Sequence, residues 1–330
     1  MPNDEFQWIQ QLTPDRHVQK HVIEGIGDDA AVFGTESGYY QLLCVDTMIE
    51  NVHFKKKTMS PEDIGHKALA ANISDIAAMG GIPVFYVVSI AVPSTWTDEE
   101  LHGIYKGMSN IADTYQMDMI GGDTVSSPHE LMVSITVYGK VEQDASLVRR
   151  NARPGDYVFL TSPTGRSAAG LELLLKKGRL SDFNDREKAL IACHQRPIPH
   201  VQAGRAAAQT KARIALNDIS DGLASEAFEL AEASNVILEL YKDQIPIAAE
   251  LRLYSEKDCW NWILYGGEDF VLLGTVSPSD WPRLQEAMKQ QSIETYWIGE
   301  VKEGSPHVML TDQSHTKILQ KSGYNHFRPT

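Results

Sequence analysis

Acidic residues stand where apolar segments of this chain begin or end, and that placement limits the folds open to it. In GIGDDAAVF (Gly25–Phe33), the adjacent Asp28 and Asp29 separate a glycine-bounded turn from a small apolar run. Asp46 ends the apolar run of YYQLLCVD, and Asp75 falls in the last turns of the helical pattern PEDIGHKALAANISDIAAMGG. Asp123 follows a Gly121-Gly122 break at a strand end. Asp218 and Asp221 lie in LNDISDG, a strand-to-helix turn, while Glu268 and Asp269 follow Gly266-Gly267. A carboxylate leaving water is costly unless something pairs with it, and neighbouring carboxylates repel.

Taken singly, each acid also suits a turn or a cap, with Ser220 or Asp221 as the N-cap of the next helix. Asp75 resists that reading. It faces the negative end of a helix dipole, and Ile76, Ala77, Ala78 and Met79 leave it poorly solvated, so it needs a cation. Hard oxygen ligands without His or Cys select Mg²⁺, and glycine pairs let backbone approach a metal–phosphate group closely. Several bound Mg²⁺ ions would neutralise a triphosphate and orient an in-line displacement. The chain has no GxxxxGK[ST] loop, no kinase-type Gly-rich loop and no HRD signature, which excludes the P-loop and protein-kinase solutions to that task.

A net charge of −14 argues against a nucleic-acid binder. Cys44, Cys193 and Cys259 lack CxxC spacing, so no thiolate zinc site is expected and a reducing, cytoplasmic setting is. No apolar run approaches the ~18 residues of a membrane span, and the polar, acidic MPNDEFQWIQ is not expected to be a signal peptide.

The pattern predicts a short helix over Glu5–Leu12, strands at AAVF and YYQLLCVDTMI, and a helix opening at Pro61 and stopping at Gly80-Gly81. The continuously apolar centre of YYQLLCVDTMI predicts a buried strand. A further strand, a helix from about Thr97 to Tyr115, and the strand LMVSITVYGKV follow. Glu142–Asp156, polar and closed by Pro-Gly, reads as a linker. Beyond it come YVFLTSP, a Gly-Ala-rich helix SAAGLELLLKKG, a long helical stretch to Ala208, the strand IALNDISDG, the helix LASEAFELAEA and further strands. This alternation predicts an α/β (α+β) layer structure in two domains, 1–145 and 150–330; 330 residues suffice for two cores.

GIGDDAAV, VDTMIENVHF, KALAANISDIAAMGG, IGGDT, NARPGDYVFLT, NDISDGL, GGEDF and KSGYNHF occur in the order found in thiamine-monophosphate kinases. The chain thus resembles that family, part of the superfamily of aminoimidazole ribonucleotide synthetase and selenophosphate synthetase, from about Glu5 to Phe327. The resemblance implies ATP-dependent phosphorylation of thiamine monophosphate to thiamine diphosphate. It implies Mg²⁺ ligands at Asp29, Asp46, Asp75, Asp123, Asp218 and Asp221, and ATP contacts at Tyr105, Gly122, Asp123, Arg149 and Ser220. Thiamine phosphate would lie near His53, Glu268 and Tyr324. Asp28 is then left as a turn residue beside the cluster, with Gly27 easing the turn. The family often has Ser or Thr hydroxyls before the Asp of the second motif, where this chain has Cys44 and Val45, so only backbone carbonyls could serve there.

The resemblance also implies homodimers whose N-terminal domains pair their strands into a barrel. The acceptor phosphate is already ionised near pH 7, its second pKa being about 6, so little or no general base is needed. The alternatives are another ATP-dependent synthetase of the superfamily or a non-catalytic nucleotide-binding homodimer. A selenophosphate synthetase would be expected to carry a reactive Cys or selenocysteine in a Gly-rich N-terminal segment, and none precedes Gly25.

Overall fold

The computed structural model describes residues 22–24, 28–34, 38–313 and 315–321. The helix expected over Glu5–Leu12, the turn at Gly25–Gly27 and the tail with Tyr324 lie outside them. Two sheets organise the chain. The first contains β1 (Val22–Glu24), β2 (Ala31–Gly34), β3 (Tyr39–Ile49), β4 (Ile82–Val92), β5 (Asp118–Ser126) and β6 (Met132–Glu142). Their order is β1-β2-β3-β6-β4-β5, with β4 and β5 parallel and the other pairs antiparallel. Helices α1 (Pro61–Ala78) and α2 (Asp98–Tyr115) pack over this sheet, around a core that includes Leu42, Leu69, Ile76, Ile104 and Val137.

The second sheet has the order β13-β12-β9-β11-β7-β10-β8. Its strands are β7 (Tyr157–Leu160), β8 (Ile214–Asp218), β9 (Ile237–Tyr241), β10 (Leu272–Val276), β11 (Tyr296–Lys302), β12 (His307–Asp312) and β13 (His315–Ile318). Between and after them run α3 (Arg166–Lys177), α4 (Asp185–Gln195), α5 (Val201–Gln209), α6 (Leu223–Ser234), α7 (Glu256–Tyr265) and α8 (Trp281–Gln290). The mixed α/β architecture is as the alternation predicts.

The sequence dictates α1 closely. Ser60 accepts from the Asp63 N–H while Asp63 accepts from Ser60, a reciprocal cap, and Pro61 opens the first turn. Gly80, at φ +71°, stops it. The helix lies in the seam between the two halves. At Gly204 of α5 an added Cβ would come within 2.0 Å of the Ala77 carbonyl oxygen, so only glycine permits this approach.

Three expectations are corrected. β3 is covered on one face only: Leu42, Cys44 and Met48 are buried, but Leu43 is 42% and Val45 62% exposed, because α1 packs on a single side. Asp46 accordingly lies inside the strand, three residues before its end, and reaches solvent. Gly121 and Gly122 do not break a strand; they lie within β5, beside a bulge in its pairing with β4. The Gly-Ala-rich helix is α3, which ends at Gly178 as expected, whereas the long helical stretch beyond it to Ala208 is two helices, α4 and α5, separated by the segment holding Pro197 and Pro199.

Candidate active site

Three carboxylates from three segments converge. One oxygen each from Asp29, Asp75 and Asp218 lie within 4.8 Å of one another. Asp29 precedes β2, Asp75 sits in the last turn of α1, and Asp218 ends β8 in the other half of the chain. Two of the three are held by specific partners. Arg149 Nη2 donates to Asp29 Oδ1 at 2.6 Å, and Ser74 Oγ donates to Asp218 Oδ2 at 2.6 Å. Asp46 joins from β3, where its N–H donates to the side-chain carbonyl of the fully buried Asn72 at 3.0 Å. Asn72 in turn bonds Ala68 O one turn back, locking strand to helix.

This cluster is electrostatically frustrated. Burial, followed by the charges of Asp46, Asp218 and Asp29, holds the Asp75 carboxyl well above its ordinary range. Burial and the Asp29 charge do the same to Asp218. Asp46, accessible at its tip but walled in by protein, is raised to about 6 by burial and Asp29. Asp28, whose oxygens accept from the Arg149 and Asp29 N–H groups, is pushed to about 7 by burial and its charged neighbour. Asp29 is raised by burial, against which the Arg149 guanidinium pulls. Its Oδ2 is buried without a hydrogen-bond partner among the described residues. An orphaned carboxylate oxygen facing two more carboxylates suits a hard divalent cation.

A cleft of about 980 Å³ opens beside the cluster, bounded by Asp46, His53, Lys67, Ser220, Asp221 and Glu268 among others. His53 Nδ1 accepts from the Ile49 N–H at 2.9 Å, which fixes its ring. Ser220 and Asp221 do not cap α6; Gly222 holds that position. Instead Glu226, 2% exposed, reaches back from α6 to accept from Asn217 Nδ2, Ser220 Oγ and the Asp221 N–H at 2.6, 3.1 and 3.0 Å. Arg149 spans Asp29, Asn217 Oδ1 (3.1 Å from Nε) and Glu229 (2.6 Å from Nη1), so its guanidinium already serves protein carboxylates.

The remaining expected residues lie elsewhere. Asp123 pairs with Ser89 of β4, which pairs with Ser134 of β6, which faces Thr47 of β3. Three strand spacings of ~4.8 Å put Asp123 and Gly122 about 14 Å from the β3 end of the cluster. Tyr105 is partly buried on α2. Tyr324 lies outside the described residues. Sequence reasoning missed Lys67, Asn72, Asn217 and Glu226. The available signal was the i, i+4, i+8 spacing of Lys67, Ala71 and Asp75, which sets them along one face of α1.

Residues 27–141 match the family model of the AIR synthase related protein N-terminal domain, and residues 153–310 match that of its C-terminal domain. Thiamine-monophosphate kinase of Bacillus subtilis is 48% identical over 329 residues, covering 98% of this chain and 100% of that protein. The chain belongs to the thiamine-monophosphate kinase family. Among solved structures of that family, "AaThiL complexed with AMPPCP and TMP" superposes with a TM-score of 0.83 at 30% identity, covering 98% of this chain and 97% of that one. The thiamine monophosphate kinase from Aquifex aeolicus superposes at 0.75 with 31% identity, covering 88% and 94%. The hydrogenase maturation protein HypE in complex with ATP shares the fold, at a TM-score of 0.66 and 16% identity. In this family member, therefore, the carboxylate cluster and cleft stand in a kinase scaffold.

Proposed function

We propose that this protein transfers the terminal phosphoryl group of ATP to the phosphate of thiamine monophosphate, giving thiamine diphosphate and ADP. The observation that carries the reading is the convergence of Asp29, Asp75 and Asp218 beside a cleft able to hold a heterocyclic phosphate. A relative bound to an ATP analogue and TMP, on the same fold, supports the same substrates. Joining two anions makes charge repulsion the main obstacle. Mg²⁺ ions, when bound, would supply the positive charge that neutralises the approaching phosphates. Asp29, Asp46, Asp75 and Asp218 are the residues we assign to hold them, with Asp221 at the cleft margin.

The protein's own groups prepare that site. Arg149 orients Asp29, Ser74 orients Asp218, and Asn72 sets the backbone of Asp46. Glu226 fixes the Ser220–Asp221 loop toward the cleft. His53 and Glu268 are the residues we assign to contact thiamine phosphate, together with Tyr324. No residue need remove a proton, since the acceptor is already a dianion at neutral pH.

We read residues 1–145 and 150–330 as two domains, and the exposed face of the first sheet as a homodimer contact. That face carries Leu43 and Val45 on β3, and the exposed strand β5 adds Met119, Ile120 and Val125. Docking of a second copy there is what would carry Tyr105, Gly122 and Asp123 toward an ATP site. No helix among the described residues is long and apolar enough to cross a membrane; a cytoplasmic location fits three cysteines without a disulfide. The test is direct: incubate the protein with Mg-ATP and thiamine monophosphate and follow thiamine diphosphate. Turnover of another acceptor with none of thiamine monophosphate would reject the reading.

A further inference from the structure

Lys67 is a charge that the phosphoryl-transfer reading leaves without a task. Its side chain is 1% exposed, yet it forms part of the cleft wall. Its Nζ lies 2.6 Å from Glu268 Oε2 and 3.4 Å from His194 Nδ1. An ammonium withdrawn from water is tolerated only where a hydrogen-bonded anion meets it. His194, 1% exposed and 3.2 Å from Ser167 Oγ, stays neutral because burial and the Lys67 charge hold its pKa down at about 3. The anion is Glu268.

Glu268 is itself held in an unusual state. Its backbone is left-handed, φ +65°, a conformation that residues bearing a Cβ adopt at a cost and keep only where their surroundings enforce it. Two contacts enforce it here: its N–H donates to the Ser220 carbonyl at 2.7 Å, and its carboxylate takes Lys67. Gly267 permits the first contact, since a Cβ there would lie 2.3 Å from that same carbonyl oxygen. Glu268 is thus pinned between the Ser220–Asp221 loop and α1, with 30% of its side chain still open. Burial alone pushes the carboxyl toward its protonated form, and the Lys67 ammonium reverses this. Trp262, Tyr265 and Phe270 stand in the same cleft. A fixed carboxylate among aromatic rings is a receptor for a planar heterocyclic cation.

We propose that Lys67 is a positioning residue that holds the Glu268 carboxylate aimed into the cleft, and thereby sets the preference for an acceptor with a cationic ring over one with a neutral ring. This rests on the assignment of the cleft to thiamine monophosphate. Lys67 lies two helical turns, about 12 Å along α1, from Asp75, so ring selection and phosphoryl transfer are separable along one helix.

The test compares the wild type with Lys67→Met, Lys67→Arg and Glu268→Gln. The readouts are kcat, the separate KM values for ATP and thiamine monophosphate, and the Kd ratio between thiamine monophosphate and an analogue with carbon replacing the thiazolium nitrogen. Lys67→Met is expected to raise the KM for thiamine monophosphate about tenfold and bring the Kd ratio close to one. Its kcat and KM for ATP should move less than about threefold, Glu268→Gln should likewise bring the Kd ratio close to one, and Lys67→Arg should recover part of the wild-type ratio. An unchanged Kd ratio in Lys67→Met, or a fall in kcat and melting temperature together with a rise in both KM values, overturns the proposal. If Lys67→Met does not fold, Lys67→Gln, which removes the charge but keeps a polar chain of similar length, gives the deciding Kd ratio: near one supports the proposal, wild-type overturns it. A wild type inactive on thiamine monophosphate removes the underlying assignment and the proposal together, whereas an active wild type with undiminished selectivity in Lys67→Met removes Lys67 alone.

Discussion

At Asp75 a carboxylate meets burial, three like charges and the negative end of a helix at once. Such a group is retained against stability, so its removal should separate folding from function. Asp75→Asn is expected to melt at or above the wild-type temperature in metal-free buffer, while turnover of thiamine monophosphate falls about a hundredfold or more. Calorimetry beside a product assay checks both halves; an active Asp75→Asn would dismiss the assignment. The same frustration fixes a pH dependence. Asp28 at about 7 and Asp46 at about 6, with Asp29, Asp75 and Asp218 also raised, bind more protons folded than unfolded above pH ~4. These groups therefore withdraw stability as pH rises from about 4 through 7. Metal-free melting temperature should be higher near pH 5 than near pH 7.5, and Mg²⁺ should raise it more at the higher pH, because ligation needs the deprotonated carboxylates. Melting curves with and without chelator decide the matter; an Mg²⁺ increment independent of pH would count against the cluster.

Among the elements, α1 was the most legible in sequence. Ser60-Pro61 with Asp63 marks its start and Gly80-Gly81 its end by local chemistry that tertiary structure did not override. β3 was legible in extent but not in environment. An apolar run covered on one face reads the same as one covered on both, and only the packing of α1 distinguishes them. The convergence of Asp29, Asp75 and Asp218 is likewise tertiary; no spacing along the chain encodes it, and only family resemblance anticipated it. Asn72 and Glu226 escaped notice because a polar residue in a helix usually faces water, whereas here each is buried and fastens a loop or strand that bears a site residue. The close approach of α1 and α5 gives an element-scale prediction. Gly204→Ala should destabilise the fold by about 1–3 kcal/mol, since its methyl would meet the Ala77 backbone. Denaturant midpoints measure the loss. Activity should fall too, because α1 carries Asp75; a variant as stable as wild type would show that the contact yields.

For the whole molecule, the uncovered face of the first sheet predicts self-association. Val45→Asp, placing a charge on that face, should shift the mass seen by light scattering at micromolar concentration from dimer to monomer. A wild type that is already monomeric would remove the proposed contact. The seam spanned by α1 has a different consequence, for inheritance. Ser74 on one side holds Asp218 on the other, Lys67 holds Glu268, and Gly204 accommodates Ala77. Recombining the N-terminal half of this chain with the C-terminal half of a distant relative would preserve each core yet mismatch those pairs. Functional hybrids should arise when the crossover carries α1, β8 and the Gly266–Phe270 loop from one parent, so the heritable unit of this enzyme is its seam.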